Sequence, residues 1–367
     1  MKKNILHLAC YSPSYEGNFI PSLRLLEEEL LLLGQSTSYL FPKETKEFEW
    51  ISAIQNRGRS VYLYQDNLIE TVILIRSIIE KEKIGIIHLH FATNQTLFCM
   101  RIIKLLHPSV KIVFHHHNHF RSPKSRVKAF IKNYIYAADM HIGVSQSVTE
   151  KLPERLKDNN KITVKNAIYF PRLDNYKTLT HKDLNVPKNS RILLIFGGLY
   201  LIKGVDLAIQ ALMPIAEKEN IILIIICSIG KDETIKLIES QFGPMPKWIR
   251  VMSAQSDMGS YYRAVDVFLS PSREEGFCYA VIEAAYCNAQ IIASNVPGLN
   301  LLKVPHTKEF NIDDIDLFQK HILHCIDMQA DEREKIQLEQ KNYVQTTFNI
   351  DKWVSDVINA YNNLLNV

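Results

Sequence analysis

Short apolar runs alternate with amphipathic stretches twice along this chain. In the first half the runs predict strands over 5–9, 36–40, 84–90, 111–115 and 140–144. Between the first two, Leu23, Leu26, Leu30 and Leu33 recur at helical spacing and predict a helix over 19–33, with Asn18 as its cap and Gly34 as its stop. Another helix is predicted over 145–156, opened by Ser145. The segment 169–190 holds two prolines and many polar residues and reads as a linker. Beyond it, 191–197 and 221–228 are almost wholly apolar, the pattern of parallel strands covered on both faces. Strands over 265–269 and 290–294 continue this second series. Helices are predicted near 203–218, 231–241, 258–264, 277–287 and 314–327, and an amphipathic helix over 353–365 follows. Two such series predict an α/β protein of two doubly wound, Rossmann-like domains facing across a cleft.

Composition fits that picture. A chain of 367 residues, 47% hydrophobic, is long enough for two domains with full cores. No run of eighteen apolar residues occurs, so no membrane span is expected. The basic start Met1-Lys2-Lys3 precedes an apolar run too short for a signal peptide and reads as the lead into a strand. Cys10, Cys99, Cys227, Cys278, Cys287 and Cys325 are scattered without a Cys-x-x-Cys pair, which points to reduced thiols in a cytoplasmic compartment. Net charge is +4, but residues 1–180 carry 25 basic against 16 acidic side chains, and the remainder 18 against 23. A basic first half favours an anionic partner. Arg121, Lys124, Arg126, Lys128 and Lys132 lie in a stretch without an acid, with Val127, Phe130, Ile131 and Tyr134 on one helical face. That stretch suits an anionic bilayer surface, and equally a surface helix whose apolar face belongs to the core.

The most informative chemistry lies at 272–284, Ser-Arg-Glu-Glu-Gly-Phe-Cys-Tyr-Ala-Val-Ile-Glu-Ala. It follows a strand pattern and opens a helix, so the amides around Gly276, Phe277 and Cys278 offer a place for phosphate. Glu275 and Glu283 stand eight positions apart, a reach that suits carboxylates accepting from the ribose and the sugar at the two ends of a nucleotide diphosphate. Upstream, Phe196-Gly197-Gly198 leads to Lys203-Gly204 at another predicted helix start, where an amine can neutralise a diphosphate. An exposed lysine beside a helix-opening glycine is the plain alternative.

These stretches resemble the donor-site signature of retaining GT-B glycosyltransferases, the family four (group 1) type. The resemblance runs over nearly the whole chain and is stronger in the second half. It implies an acceptor-side domain over 1–168, a linker over 169–190, a nucleotide-sugar domain over 191–345, and a helical segment, 346–367, that crosses back to the first domain. It implies a nucleotide-sugar co-substrate, a UDP-sugar first, with no cofactor and no metal. Donor contacts are expected from Gly17, Gly197, Lys203, Arg273, Glu275, Gly276, Phe277, Cys278 and Glu283, and catalysis from Lys203, Glu275 and His117. Gly17 lies in Tyr15-Glu16-Gly17-Asn18, where the family has a Gly-rich loop and an ordinary turn is the alternative. His117 matches the family's histidine near the transferred sugar.

Three departures stand out. Gly198 replaces the family's usual Arg, which removes one cation from the diphosphate site and leaves Arg273 as a substitute. Cys278 replaces a Gly, and 300–311 is short and irregular. His115, His117 and His119 would share a strand face, but no carboxylate or thiol stands near in sequence to complete a metal site. His88 and His90 read as packing residues, and Asp314-Ile315-Asp316 as a helix start.

The implied activity is retaining transfer of a hexose to a glycan or lipid-linked glycan acceptor in cell-envelope or exopolysaccharide synthesis, at the inner face of the membrane. A non-catalytic partner subunit is the second reading, motivated by Gly198. A dinucleotide oxidoreductase lacks its Gly-x-Gly-x-x-Gly after the first strand. Nucleic acid is not expected, since no such module is present.

Overall fold

A computed structural model describes residues 3–120, 138–153, 156, 160–174 and 177–365. The chain divides into two compact units, one of Met1–Ala167 with Ile350–Val367 and one of Ile168–Asn349. Among the described residues no helix is long and apolar enough to cross a membrane. All six cysteines are free thiols.

The first unit is built on a seven-stranded parallel sheet. Its strands are β1 (Asn4–Ala9), β2 (Thr37–Pro42), β3 (Ser60–Tyr64), β4 (Ile84–His90), β5 (Lys111–His116), β6 (Met140–Gly143) and β7 (Lys161–Thr163), in the order β3-β2-β1-β4-β5-β6-β7. β2 and β4 are buried at every position, as helices on both faces require. β3 escapes the sequence reading because it is an edge strand, half-buried along most of its length. The order reverses at β1 and β4, so the carboxyl ends of these strands flank a crevice of the kind where doubly wound sheets bind ligands.

Helix Phe19–Leu32 buries Leu23, Leu26 and Leu30, as its spacing predicts, and Gly34 closes it. Asn18 does not cap it: the Asn18 amide donates instead to Ala167 O at 2.7 Å. The helix opened by Ser145 is shorter than predicted, Gln146–Glu150. Helix Ile350–Leu365 buries Trp353, Val354, Val357, Ala360, Tyr361 and Leu364 against Leu26, Leu30, Ile86, Val113 and Ile142, so it completes the core of the first unit.

The second unit carries six parallel strands: β8 (Arg191–Phe196), β9 (Ile221–Cys227), β10 (Ile249–Ser253), β11 (Val267–Ser270), β12 (Gln290–Ser294) and β13 (Lys308–Phe310). Their order is β10-β9-β8-β11-β12-β13, with the reversal at β8 and β11. β13 corrects the sequence reading of 300–311 as irregular: Lys308–Phe310 pairs in register with Ile292–Ser294. Segment 169–190 places Phe170, Leu173, Leu184 and Val186 in the core of this unit, where the prolines and polar residues predicted a linker.

Candidate functional site

The reversal at β8 and β11 brings two loops together. Gly197 ends β8 with its N–H on Ile226 O at 2.8 Å. The loop after it runs to Gly204, which has φ +68° and caps helix Val205–Leu212. A Cβ at Gly204 would fall 2.0 Å from Pro271 O, so only glycine allows this close approach to the loop after β11. The contact continues as Arg273 N donates to Ile202 O at 2.8 Å.

Lys203 and Glu275 meet at this seam, Nζ to Oε1 at 2.5 Å, and Ser272 Oγ donates to the same Oε1 at 3.0 Å. Burial opposes the charge on Lys203, but the adjacent Glu275 carboxylate outweighs it and holds the ammonium above its ordinary range. Ser272 is itself fixed, its carbonyl accepting from Ser294 Oγ at 2.5 Å. The two ends of the pair are thus held by backbone contacts before any ligand arrives.

Glu283 lies on helix Tyr279–Tyr286 and is buried. It pairs with Arg172, from the short helix Pro171–Asp174, and Tyr262 hydrogen-bonds the same carboxylate. Burial and then the Glu283 charge push the Tyr262 hydroxyl well above its ordinary range, so it stays protonated. Neither Arg172 nor Tyr262 is marked in the sequence; Arg172 lies 111 positions from its partner.

Other predicted donor residues are occupied elsewhere. The Arg273 fork is bidentate on Asp206, at 2.8 and 2.7 Å, and also donates to Leu201 O. It therefore ties the two loops together, and the guanidinium expected to replace the missing loop Arg is already engaged. Phe277 packs edge-on against Tyr279 and Phe348. Cys278 is buried, and burial pushes its thiol up to about 12, which leaves it unreactive. Gly276 lies in the turn before helix Tyr279–Tyr286.

Gly198 is more than a lost Arg. A Cβ there would lie 2.9 Å from Ile229 O and 3.3 Å from Ile229 N, so the loop after β9 occupies the space that a side chain would need. Gly198→Arg is therefore expected to overpack the loop, at a cost of about 1–3 kcal/mol, and to lower the thermal midpoint by about 2–12 °C. Differential scanning fluorimetry measures this; an unchanged midpoint would mean that the Ile229 loop moves aside freely.

In the first unit, the matching crevice lies beyond β1 and β4. Gly17, at φ +57°, sits in a turn closed by the Tyr11 hydroxyl, which donates to Tyr15 O and Glu16 O at 3.2 Å each. Phe91 follows β4 with φ +50°, unusual for a bulky residue, and stacks on His117 with ring centroids 4.0 Å apart. His115 and His117 share a face as predicted, while His119 turns to Ser147 Oγ at 3.3 Å because β5 ends at His116. His88 and His90 join them from β4, and His7 from β1. His7/His88/His90 and His90/His115/His117 each bring three ring nitrogens within 4.8 Å of one another. Such an all-imidazole set suits zinc in type, but nitrogens of His7, His88, His90, His115 and His117 already face one another in pairs. Asp314 accepts from Leu317 N at 2.9 Å and is a helix cap. Arg121, Lys124, Arg126, Lys128 and Lys132 lie outside the described residues.

Comparison with known proteins places the chain in a family. The family model "Glycosyltransferase Family 4" matches residues 35–165, and "Glycosyl transferases group 1" matches residues 190–328. The chain is 28% identical over 196 residues to the O-antigen biosynthesis glycosyltransferase WclY of Escherichia coli, covering 52% of each protein. It is 27% identical over 188 residues to the N,N'-diacetylbacillosaminyl-diphospho-undecaprenol alpha-1,3-N-acetylgalactosaminyltransferase of Campylobacter jejuni, covering 48% of each. The chain thus spans about half the length of the curated relatives it matches. Among solved structures, Anabaena HepE in complex with UDP and glucose superposes with a TM-score of 0.78 at 16% identity, covering 99% of this chain and 100% of that one. With two parallel-sheet Rossmann-like domains, both family matches and GT-B neighbours, the chain belongs to the group 1, family 4 glycosyltransferases.

Proposed function

We propose that this protein transfers a hexose from a nucleotide sugar, a UDP-sugar first, to a hydroxyl of a glycan or lipid-linked glycan, with retention at the anomeric carbon. The observation that carries this reading is the seam at β8 and β11, where the Lys203 ammonium, the Glu275 carboxylate and the start of helix Tyr279–Tyr286 converge. Glu275 accepts from sugar hydroxyls and Glu283 from the ribose. Lys203 and the amides near Gly276 stabilise charge on the leaving diphosphate, the task a metal ion performs in other transferases. The acceptor oxygen bonds to the anomeric carbon as the bond to the diphosphate breaks on the same face. The departing phosphate oxygen takes the acceptor proton, so no protein nucleophile is required. In the first unit, His117 hydrogen-bonds a sugar hydroxyl.

A UDP donor is favoured by the solved neighbour that holds UDP and glucose. A cell-envelope glycan is favoured by relatives named for O-antigen synthesis and for a diphospho-undecaprenol substrate. A lipid-linked acceptor also suits Leu32, Ile69, Ile73 and Leu105, which are 63–80% exposed on the helices of the first unit. An anionic bilayer is the surface proposed for that unit.

The test is calorimetric binding of UDP, GDP and ADP to the wild type and to Glu283→Gln. Gln is preferred to Ala because it keeps a hydrogen-bond acceptor for the buried Arg172. One nucleotide is expected to bind, about tenfold or more weaker in the variant. No binding of any nucleotide by folded protein would overturn this reading in favour of a non-catalytic partner subunit, the role that Gly198 and the engaged Arg273 would suit.

A further inference from the structure

The buried histidines of the first unit form ordered rows. In one row His7 Nδ1 faces His90 Nε2 at 3.3 Å, and His90 Nδ1 faces His117 Nε2 at 3.4 Å. In the other, the Tyr361 hydroxyl meets His88 Nδ1, and His88 Nε2 faces His115 Nδ1 at 3.2 Å. Each row begins at a buried nitrogen with no hydrogen-bond partner, His7 Nε2 in the first and His115 Nε2 in the second.

In the first row, the orphan atom decides where the protons lie. A neutral imidazole has one N–H and one bare nitrogen. A buried N–H without an acceptor costs more than a bare nitrogen without a donor. His7 therefore keeps Nε2 bare and donates from Nδ1 to His90 Nε2. His90, now accepting at Nε2, carries its proton on Nδ1 and donates to His117 Nε2. His117 is left with its proton on Nδ1. In water the free histidine side chain prefers the opposite tautomer, so this arrangement comes from the row.

We propose that His90, with His7 closing its row, is a positioning residue that locks His117 in the Nδ1–H tautomer, so that His117 meets its substrate as a hydrogen-bond donor and cannot act as a base through Nε2. This rests on the reading of His117 as a sugar contact. It specifies that contact further: the partner atom must be an accepting oxygen, and the acceptor proton must leave by another route, namely the departing phosphate. A zinc ion would instead need three bare nitrogens turned to one point, whereas the row pairs each nitrogen with one neighbour.

The test is long-range proton–nitrogen NMR of nitrogen-labelled wild-type protein at pH 7.5, without substrate. His117 is expected to show a protonated Nδ1 and a bare Nε2; a protonated Nε2 would overturn the proposal. So would a shift of the His90, His115 and His117 nitrogens together on adding one equivalent of zinc. Three variants separate the lock from simple packing. His90→Phe keeps an aromatic ring and removes the donor; because His117, unlike His90, is only half-buried, an N–H at its Nε2 is not stranded as one at His90 would be, and the Nε2–H form is expected to appear. In His7→Phe the lock is expected to survive, since reversing the row would still strand a buried N–H at His90. His7→Gln offers a carbonyl that can accept from His90, so a mixture is expected. Transfer by His90→Phe is expected to fall about tenfold in kcat with KM little changed. If the tautomer is as stated but His117→Ala transfers at the wild-type rate, the lock stands and its role in transfer falls.

Discussion

Lys203→Ala is expected to lower kcat about 10²–10³-fold, the usual loss when one preorganised charge donor is removed from a developing anion. The effect is large because little else replaces the amine. The family's loop Arg is absent at Gly198, and Arg273 is held by Asp206. The variant also leaves Glu275 buried with Ser272 as its remaining neighbour of this set, so the fold should lose stability as well. The double variant Lys203→Ala/Glu275→Gln removes that uncompensated charge and separates the two effects. It should recover thermal stability and stay inactive. Steady-state kinetics with melting curves on all three proteins decides the matter; a kcat within threefold of wild type in Lys203→Ala would remove Lys203 from the mechanism.

The second large effect concerns acid. His7, His88, His90, His115 and His116 are fully buried or nearly so. Burial first, and for all but His7 neighbouring imidazoles next, hold them below the ordinary histidine range, His7 at about 3. Around the rows stand Tyr361, Trp353, Tyr39, Phe19 and Phe91, and the carboxylate on this side, Glu27, is taken by Tyr39 and Arg59. The sign follows directly. Unfolded chains bind protons at these sites near pH 6.5 and the folded unit does not, so their contribution is complete above that pH and is lost as pH falls below it. Each such site costs about 1.4 kcal/mol per pH unit, so five approach about 7 kcal/mol per unit, against a total stability of about 5–15 kcal/mol. The first unit is therefore expected to unfold between about pH 6 and 4.5. Trp50 and Trp353 lie in this unit and Trp248 in the other, so the fluorescence change should come mainly from the first two. A flat signal to pH 4 would mean that the rows accept protons without opening.

What could be read in advance was what the chain writes locally. β9 was legible because Ile221–Cys227 is apolar at every position and buried at every position. Lys203, Glu275 and Glu283 could be singled out as candidates because loop glycines and helix starts accompany them. Arg172 was not, since its meeting with Glu283 depends on how the 169–190 segment packs into the second unit. Gly198 was read as a lost charge, but the backbone of Ile229 filling its space could not be known from order alone. The alternation of His115 with His117 marked a shared face, whereas the place of His88 and His90, read as packing residues, and the direction of the rows required atomic positions.

Helix Ile350–Leu365 belongs to the unit that begins the chain, and this has a bearing on synthesis. Residues 1–167 emerge from the ribosome without Trp353 and Tyr361, which their core requires. The second unit is continuous, Ile168–Asn349, and can close as soon as it is made. At about 5–20 residues per second the earlier unit waits roughly ten to forty seconds for its final helix. During that interval Leu26, Leu30, Ile86 and Val113 lack the side chains that cover them, and the nascent first unit is the stage at which chaperones would bind.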